Sequence, residues 1–403
     1  MIEAIPYGRQ NITDQDIEIV IDALKSDYLT QGPRIEKFEN DFAAYVKSDY
    51  AVAVSNGTAA LHLCAQSLDI QPGDKVITTP ITFAASANCV RYAGGEVVFA
   101  DIDPETYLLD IKEVRKLLES SSKGTYKGVI PVDFAGRAVD LEAFRELANE
   151  FGLWIIEDSC HAPGGFFQDT SGNKQHCGNG KFADLAIFSF HPVKHIATGE
   201  GGMITTNDKA LYEKLRRLRT HGITKNEEEY KNSIDFAAGT PVGSSSVKTY
   251  PNWYMEMQDL GYNYRITDFQ SALGSSQLKR ADEGLERRKA IAKKYKESFS
   301  NKSFLKSQSG DINGHAYHLY VLEVANRLGL YNFLRENQIY SQIHYIPCHL
   351  MPYYRELGWK EGDMPNAENY YRNCISLPMY PTLTEEEQNF VIQKVHTFYG
   401  EEA

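Results

Sequence analysis

Hydrophobic positions in this chain follow two periods. Before residue 50 they recur at helical spacing. In TDQDIEIVIDALKS, Ile17, Val20, Ile21 and Leu24 share one face behind Thr13 as N-cap and Asp16 in the first turn, which predicts an amphipathic helix over 13–26. After a Gly-Pro break, Ile35, Phe38, Phe42 and Val46 predict a second helix, with Thr30 and Gln31 in the intervening loop. From residue 50 the pattern changes to short apolar runs separated by helical stretches. Ala51–Val54, Val76–Thr79, Val97–Ala100, Val129–Val132, Trp154–Ile156, Leu185–Phe188 and Met203–Thr205 read as strands; Thr58–Leu68, Phe83–Tyr92, Ile111–Leu118 and Leu141–Phe151 read as helices. This alternation predicts an α/β fold, a seven-stranded and mostly parallel sheet with helices on both faces. Ligands of such sheets bind beyond the carboxyl ends of the strands.

Past residue 206 the alternation stops. The stretch from RTHGITKNEEEYKN to about Asn252 is polar, contains GTPVGSSS, and reads as a long, mobile loop, its acidic run Asn226–Glu229 solvated. Order resumes in YNYRITDFQSALGSSQLK, and a charged helix is expected over Ser276–Phe299. The remainder combines β-type HAYHLYVLEV, a helix near Arg327–Asn337, β-type QIHYIPCH and a final helix Thr384–Phe398. It reads as a smaller C-terminal α+β unit. The expected division is a large ligand-binding domain over 1–280 and a small domain over 281–403.

Composition narrows the function classes. The 403 residues include 42 basic and 54 acidic side chains, a formal charge of −12, and no basic block that would suit a phosphate backbone. Nucleic acid is therefore not an expected partner. No apolar run approaches the roughly 20 residues that span a bilayer, and MIEAIPYGRQ lacks an apolar leader core, so a cytoplasmic protein without membrane contact is expected. The six cysteines form no CxxC pair and read as reduced thiols. His191 and His195 stand four apart, but Pro192 follows the first and no carboxylate triad is near. Structural or ligand-adjacent roles are expected for them, and no metal site.

Chemistry gathers at the expected strand ends. LAIFSFHPVKHIATGEGGMI sets Lys194 between a buried strand and the glycine turn 199–202, where burial lowers an ammonium's pKa and frees the amine for Schiff-base chemistry. SNGTAALH opens a helix with Gly57 and Thr58, whose amides and hydroxyl suit a phosphate. TTPITFAAS brings Phe83 to the rim, EDSCHAPG brings Asp158 and His161, and SFHPVK brings Ser189. Glu157 and Asp158 are adjacent on a strand and point to opposite faces, so only one can reach the rim. Each residue alone admits a plain reading: an exposed lysine, a core phenylalanine, an ordinary helix start. As a set they match pyridoxal phosphate, whose phosphate, ring, pyridine nitrogen and aldehyde want an anion cradle, an aromatic face, a carboxylate and an amine. A nicotinamide-dependent oxidoreductase is disfavoured, since no GxGxxG follows a strand. A non-catalytic regulator using the same shell to sense a sugar or amino acid is the alternative from a different class.

SNGTAAL, EDSCHAPG, FSFHPVKHIATGEGGMITTND, LRTHG and GYNYRITDFQSALGSSQL together resemble the DegT/DnrJ/EryC1/StrS sugar aminotransferases, over nearly the whole chain. The resemblance implies the aspartate aminotransferase-like fold (fold type I), pyridoxal 5'-phosphate with pyridoxamine phosphate as its alternate form, and a cofactor-binding role for the large domain. It makes Lys194 the Schiff-base lysine and Asp158 the partner of the pyridine nitrogen, the two catalytic residues. Phe83 would stack on the ring, His161 lie beside it, and Gly57, Thr58 and Ser189 hold the phosphate. Asn263 would reach the phosphate of a neighbouring subunit, implying a homodimer with shared active sites. Tyr7, Thr30, Gln31, Arg265, His344 and Tyr345 are candidates for the nucleotide-sugar side. YLTQGPRIEKFE, TTPITFAASANCVRYAGG, VDFAGRAVDL and WYMEMQDLGYNYRITDFQ look most like members serving pseudaminic acid synthesis. Those members use L-glutamate to aminate C4 of UDP-2-acetamido-2,6-dideoxy-β-L-arabino-hexos-4-ulose. Relatives acting on other keto sugars keep the same cofactor shell, so another nucleotide-linked sugar stays open. Dehydratase relatives carry histidine in place of the lysine, which disfavours that branch.

Overall fold

The computed structural model describes residues 4–243, 247–310 and 312–401. All seven expected strands are present: β1 Tyr50–Val54, β2 Lys75–Thr78, β3 Glu96–Phe99, β4 Tyr126–Ile130, β5 Trp154–Asp158, β6 Leu185–Ser189 and β7 Gly202–Thr206. They form one sheet in the order β1-β7-β6-β5-β4-β2-β3. Only β7 runs antiparallel to its neighbours, β1 and β6; the other pairings are parallel. Burial on both faces explains why these strands read as continuous apolar runs. Along β1, Val52 and Val54 join the core on one face while Ala51 and Ala53 join the core on the other; Ile204 and Met203 of β7 divide the same way.

Helices Gly57–Ser67, Ala85–Tyr92, Ile111–Glu119, Leu141–Phe151 and Lys209–Arg219 follow individual strands. The first expected helix is Asp14–Leu24, and Thr13 and Asp16 form the reciprocal cap read from the sequence. The second begins with Pro33, and the buried Asp268 carboxylate accepts the N–H groups of Gly32 and Arg34. That contact ties the loop carrying Thr30 and Gln31 to the segment leading into helix Asp268–Leu278.

The structure differs from the sequence reading at four places. The helix expected over Ser276–Phe299 is two helices, Asp268–Leu278 and Ala281–Phe299. At the junction, Gln277 and Arg280 both reach the Asn11 carbonyl and the Asp16 carboxylate, so contacts to the N-terminal segment override a continuous helical pattern. QIHYIPCH is not a strand. Its backbone meets the sheet at an isolated bridge from Gln342 to Ser376, and the strand of that region is Cys374–Leu377, antiparallel to Tyr320–Val324. The polar stretch after residue 220 is structured where described: Ile223–Thr224 pairs with Glu256–Met257, and the Glu256 carboxylate accepts the amides of Lys231 and Asn232. Its GSSS motif falls largely on 244–246, outside the described residues. Finally, the N-terminal Ile5–Pro6 pairs with Ile339–Tyr340, and Ile5 is buried among C-terminal core residues such as Ile291 and Leu334. Residue number 280 thus does not separate the two cores cleanly.

Candidate active site

Strand β6 ends at Ser189, and the chain loops back into β7. The Phe190 amide donates to the Gly201 carbonyl and the Thr198 amide to the Phe190 carbonyl, which closes the loop; a turn from the His191 carbonyl to the Lys194 amide hangs the lysine inside it. Lys194 is half-buried. Burial lowers its ammonium below the usual lysine value, while Cys160 and Asp158 nearby pull the other way. Around it stand His161, His195, His318 and His344, all held below the ordinary histidine value chiefly by burial; His344 falls to about 3. At neutral pH these rings are uncharged, so the region holds imidazoles without stacking positive charge on the lysine.

Hydrogen bonding settles one tautomer. The Ala135 N–H donates to His161 Nδ1 at 3.2 Å, so in the neutral ring Nε2 carries the proton and faces Tyr345 Oη at 3.2 Å. The Tyr345 hydroxyl accepts it and keeps its own proton to donate. His318 stacks on the other side of His161 with centroids 4.3 Å apart.

Asp158, the last residue of β5, is buried and oriented from two sides. Ser86 Oγ donates to Oδ2 at 2.6 Å, and the Cys160 amide to Oδ1 at 3.2 Å. With its proton committed to Asp158, Ser86 receives one from Thr82 Oγ1 at 2.7 Å. Glu157 faces away, as strand alternation requires, and Oε2 accepts the Gly178 amide. Its neighbours there are Asp133 and Cys177, with potential metal-binding atoms all within 4.8 Å of one another. Val139 and Ser159 already donate to both Asp133 oxygens. Burial raises both carboxyls, Asp133 to about 6 and Glu157 well above the usual range, which suits a proton held between two acids.

The anion cradle lies at the end of β1. Asn56 caps the helix, taking the Ala59 amide on its side chain and the Ala60 amide on its carbonyl. The amides of Gly57 and Thr58 remain at the mouth. A side chain at residue 57 would bring its Cβ to 3.0 Å from Ser189 Cβ, so glycine lets the helix start sit against the Ser189 side chain without displacing it. These residues fit a phosphate group.

Phe83 precedes its expected helix, which starts at Ala85, and the residue is 64% exposed within the chain, so it is not a core phenylalanine. It leaves a face open beside Tyr345, 6.4 Å away between centroids. Tyr7 packs against His344 at 5.3 Å, and Gly8 lies against Val193, so the N-terminal segment crosses the lysine loop. Lys194, Asp158, His161, Ser189, Gly57, Thr58, Phe83, Tyr7, His344 and Tyr345 thus occupy one rim. Thr30, Gln31, Asn263 and Arg265 do not join it within the chain. Thr30 bridges to Thr267 and Asn263 to Thr220, and Thr30, Gln31 and Asn263 are exposed. Sequence reasoning missed Ser86, although it lies in the quoted TTPITFAAS one helical turn beyond Phe83. It also missed His318, which arrives from a distant segment with no local signal.

The DegT/DnrJ/EryC1/StrS aminotransferase family model matches residues 10–396. The chain is 38% identical to the spore coat polysaccharide biosynthesis protein SpsC of Bacillus subtilis, covering 97% of this chain and 96% of that protein. It is 33% identical to the UDP-4-amino-4,6-dideoxy-N-acetyl-β-L-altrosamine transaminase of Campylobacter jejuni, covering 96% and 95%. Among solved structures, Helicobacter pylori PseC, an aminotransferase involved in the biosynthesis of pseudoaminic acid, superposes with a TM-score of 0.86 at 27% identity, covering 99% of this chain and 100% of that one.

Proposed function

We propose that this chain, which belongs to the DegT/DnrJ/EryC1/StrS aminotransferase family and is a pyridoxal-phosphate-dependent sugar aminotransferase, transfers an amino group from L-glutamate to a UDP-linked sugar. The position aminated is C4 of a 4-keto-6-deoxy-N-acetylhexosamine, UDP-2-acetamido-2,6-dideoxy-β-L-arabino-hexos-4-ulose, for pseudaminic acid-type sugar synthesis. The meeting of Lys194 and Asp158 beside the Gly57–Ser189 cradle carries the site reading. The choice of sugar rests on likeness to the Campylobacter transaminase.

When bound, pyridoxal phosphate supplies a carbonyl carbon that takes the amino group and a pyridinium ring that withdraws electrons. Lys194 Nζ would hold the cofactor and would carry the proton taken from the donor's Cα, a task favoured by the burial that lowers its ammonium. Asp158, oriented by Ser86, keeps a proton on the ring nitrogen. The Gly57 and Thr58 amides and Ser189 Oγ would hold the phosphate, Phe83 would stack on the ring, and His161 with Tyr345 would lie beside it.

The working form is a cytoplasmic homodimer in this reading. Ile17, Ile21, Leu24, Tyr28 and Leu29 expose large apolar side chains along the first helix and the loop after it. Burying them against a second copy would bring Asn263 of the partner subunit to the phosphate, with Thr30, Gln31 and Arg265 beside the nucleotide. Among the described residues no helix is long and apolar enough to cross a membrane.

A product assay tests the substrate. UDP-linked 4-keto hexosamines of the L-arabino and D-xylo series are offered with glutamate to the holoenzyme, and ping-pong amination of the L-arabino epimer is expected. Amination of the D-xylo epimer alone overturns the sugar assignment.

A further inference from the structure

Helix Ala281–Phe299 carries one fully buried guanidinium. Arg288 is 1% exposed, and among the described residues it makes no ion pair with a carboxylate. Its Nη1 donates to three backbone carbonyls, Tyr317 at 3.1 Å, His318 at 3.3 Å and Met379 at 3.0 Å, so two hydrogens are shared among three acceptors. Its Nε is buried without a partner among the described residues. Burial with no anion to offset it lowers the group to about 10. Holding an ion in the core without a counter-ion is costly, and an apolar side chain of similar volume would stabilise the fold better. The three carbonyls belong to two segments that flank the lysine loop. The Ala316 carbonyl, next to Tyr317, lies 2.7 Å from His195 Nε2, and the His318 ring stacks on His161. The Met379 amide donates to the Tyr7 carbonyl, and the following Gly8 lies against Val193. One guanidinium therefore ties down both segments that meet the loop of Lys194.

We propose that Arg288 is a positioning residue for Lys194: it fastens the segments on either side of the lysine loop, and its unneutralised charge favours the amine form of the lysine. The proposal rests on the reading of Lys194 as the residue that holds the cofactor. The other groups around Lys194 leave that task to Arg288. His161, His195, His318 and His344 are neutral at pH 7, and burial keeps the Cys160 thiol protonated. Asp158 favours the ammonium, and Arg288 opposes it. Arg9, Arg280, Glu283 and Arg287 line an open cavity of about 370 Å³ together with Lys194, where solvent screens them. Arg288 is screened by protein alone, so its charge acts at full strength and stays fixed across the working pH range. The same side chain thus sets where the lysine loop sits and which protonation state it favours.

The test follows the visible absorbance of the holoenzyme against pH in the parent, in Arg288→Lys, and in the neutral variants Arg288→Gln and Arg288→Met, of which either one that folds suffices. Removing the cation stabilises the protonated nitrogen, so a neutral variant should raise the midpoint of the lysine-bound band by about one pH unit, a tenfold gain in proton affinity. Arg288→Lys keeps the charge and should match the parent. A purely structural clamp would lower stability in every variant and leave the midpoint in place. Unmoved midpoints, or a lysine variant that shifts as far as the neutral ones, overturn the proposal. In parallel, the full chain stripped of cofactor is treated with acetic anhydride across pH, and acetylation of Lys194 is read by peptide mass spectrometry. The neutral variants should need solution about one pH unit more alkaline to reach the parent's relative rate. If the parent shows no lysine-bound band, the cofactor role of Lys194 falls, and the acetylation profiles still decide whether Arg288 acts on it.

Discussion

The sheet rim and the outward segments carrying Thr30, Gln31 and Asn263 are both loop-built, yet only one is complete within the chain. At the rim the chain itself supplies partners: Ser86 and Cys160 meet Asp158, Ala135 and Tyr345 meet His161, and Ser376 meets His344. On the outward segments the chain holds its backbone in place through bridges to Thr267 and Thr220 but leaves the side chains in solvent, next to exposed Tyr28 and Leu29. The difference teaches how the labour is divided. A group that must withdraw electrons or carry protons needs fixed, desolvated partners, which a core supplies. A group that recognises a large ligand across a seam can wait for the second surface.

Five changes would break or sharpen that contrast. The largest effect is expected from Lys194→Ala, which should abolish turnover and the visible absorbance of lysine-bound cofactor; a variant retaining both would remove the lysine from its role. Asp158→Asn should fold yet lose on the order of 10²–10³ in kcat, the scale of removing one preorganised electrostatic contact, and parent-like single-turnover rates would refute the electron-withdrawing assignment. Asn263→Asp sets the other region against the first. In the proposed dimer it places a negative charge beside the partner's phosphate and should weaken cofactor retention about tenfold, measured by equilibrium dialysis. Mixed with Lys194→Ala, it should also regain activity in hybrid dimers, since each chain lacks a different half of a shared site; no regain argues for self-contained sites. Ser86→Ala removes one charge-assisted hydrogen bond to Asp158 and should cost about 1.5–3 kcal/mol, read as a fall in kcat/KM with the KM for UDP-sugar unmoved.

The last effect falls on stability rather than on turnover, as a pH dependence. His344 titrates near 3 when folded against 6.5 when unfolded, and His161, His195 and His318 are depressed likewise. Below pH 6.5 the unfolded chain binds protons that the folded chain refuses, so stability is full above that value and declines as pH falls toward 3. His344 contributes about 1.4 kcal/mol per pH unit within that window, and the other three act in the same direction. Thermal melts should therefore fall steeply from pH 6.5 to 5, and His344→Gln should flatten the slope; an unchanged slope would mean the ring is not held neutral.

Much of this was legible in the chain. Two-sided burial produced unbroken apolar runs, so the seven strands and their order of use could be read; the Thr13 cap and the opposite facing of Glu157 and Asp158 follow from rules that act over three residues or fewer. What failed to read was non-local. QIHYIPCH has strand-like alternation because its side chains serve a site, with His344 on Ser376 and the Cys348 thiol on the Thr82 carbonyl, rather than a sheet. The break at Lys279 needs Asp16, hundreds of residues earlier in the chain, and the ordering of the segment after residue 220 needs Glu256.

By itself, then, the sequence determined the sheet, the helices that follow its strands and the residue types at the strand ends, because hydrophobic periodicity and capping are local and a parallel sheet leaves its ligand edge in one place. Tertiary structure alone decided that His318 and His344 flank the same lysine, that Ser86 holds Asp158, and that Arg9, Arg280 and Arg287 line one cavity. Those meetings depend on how distant segments are desolvated against each other, and no spacing along the chain encodes a distance through the core.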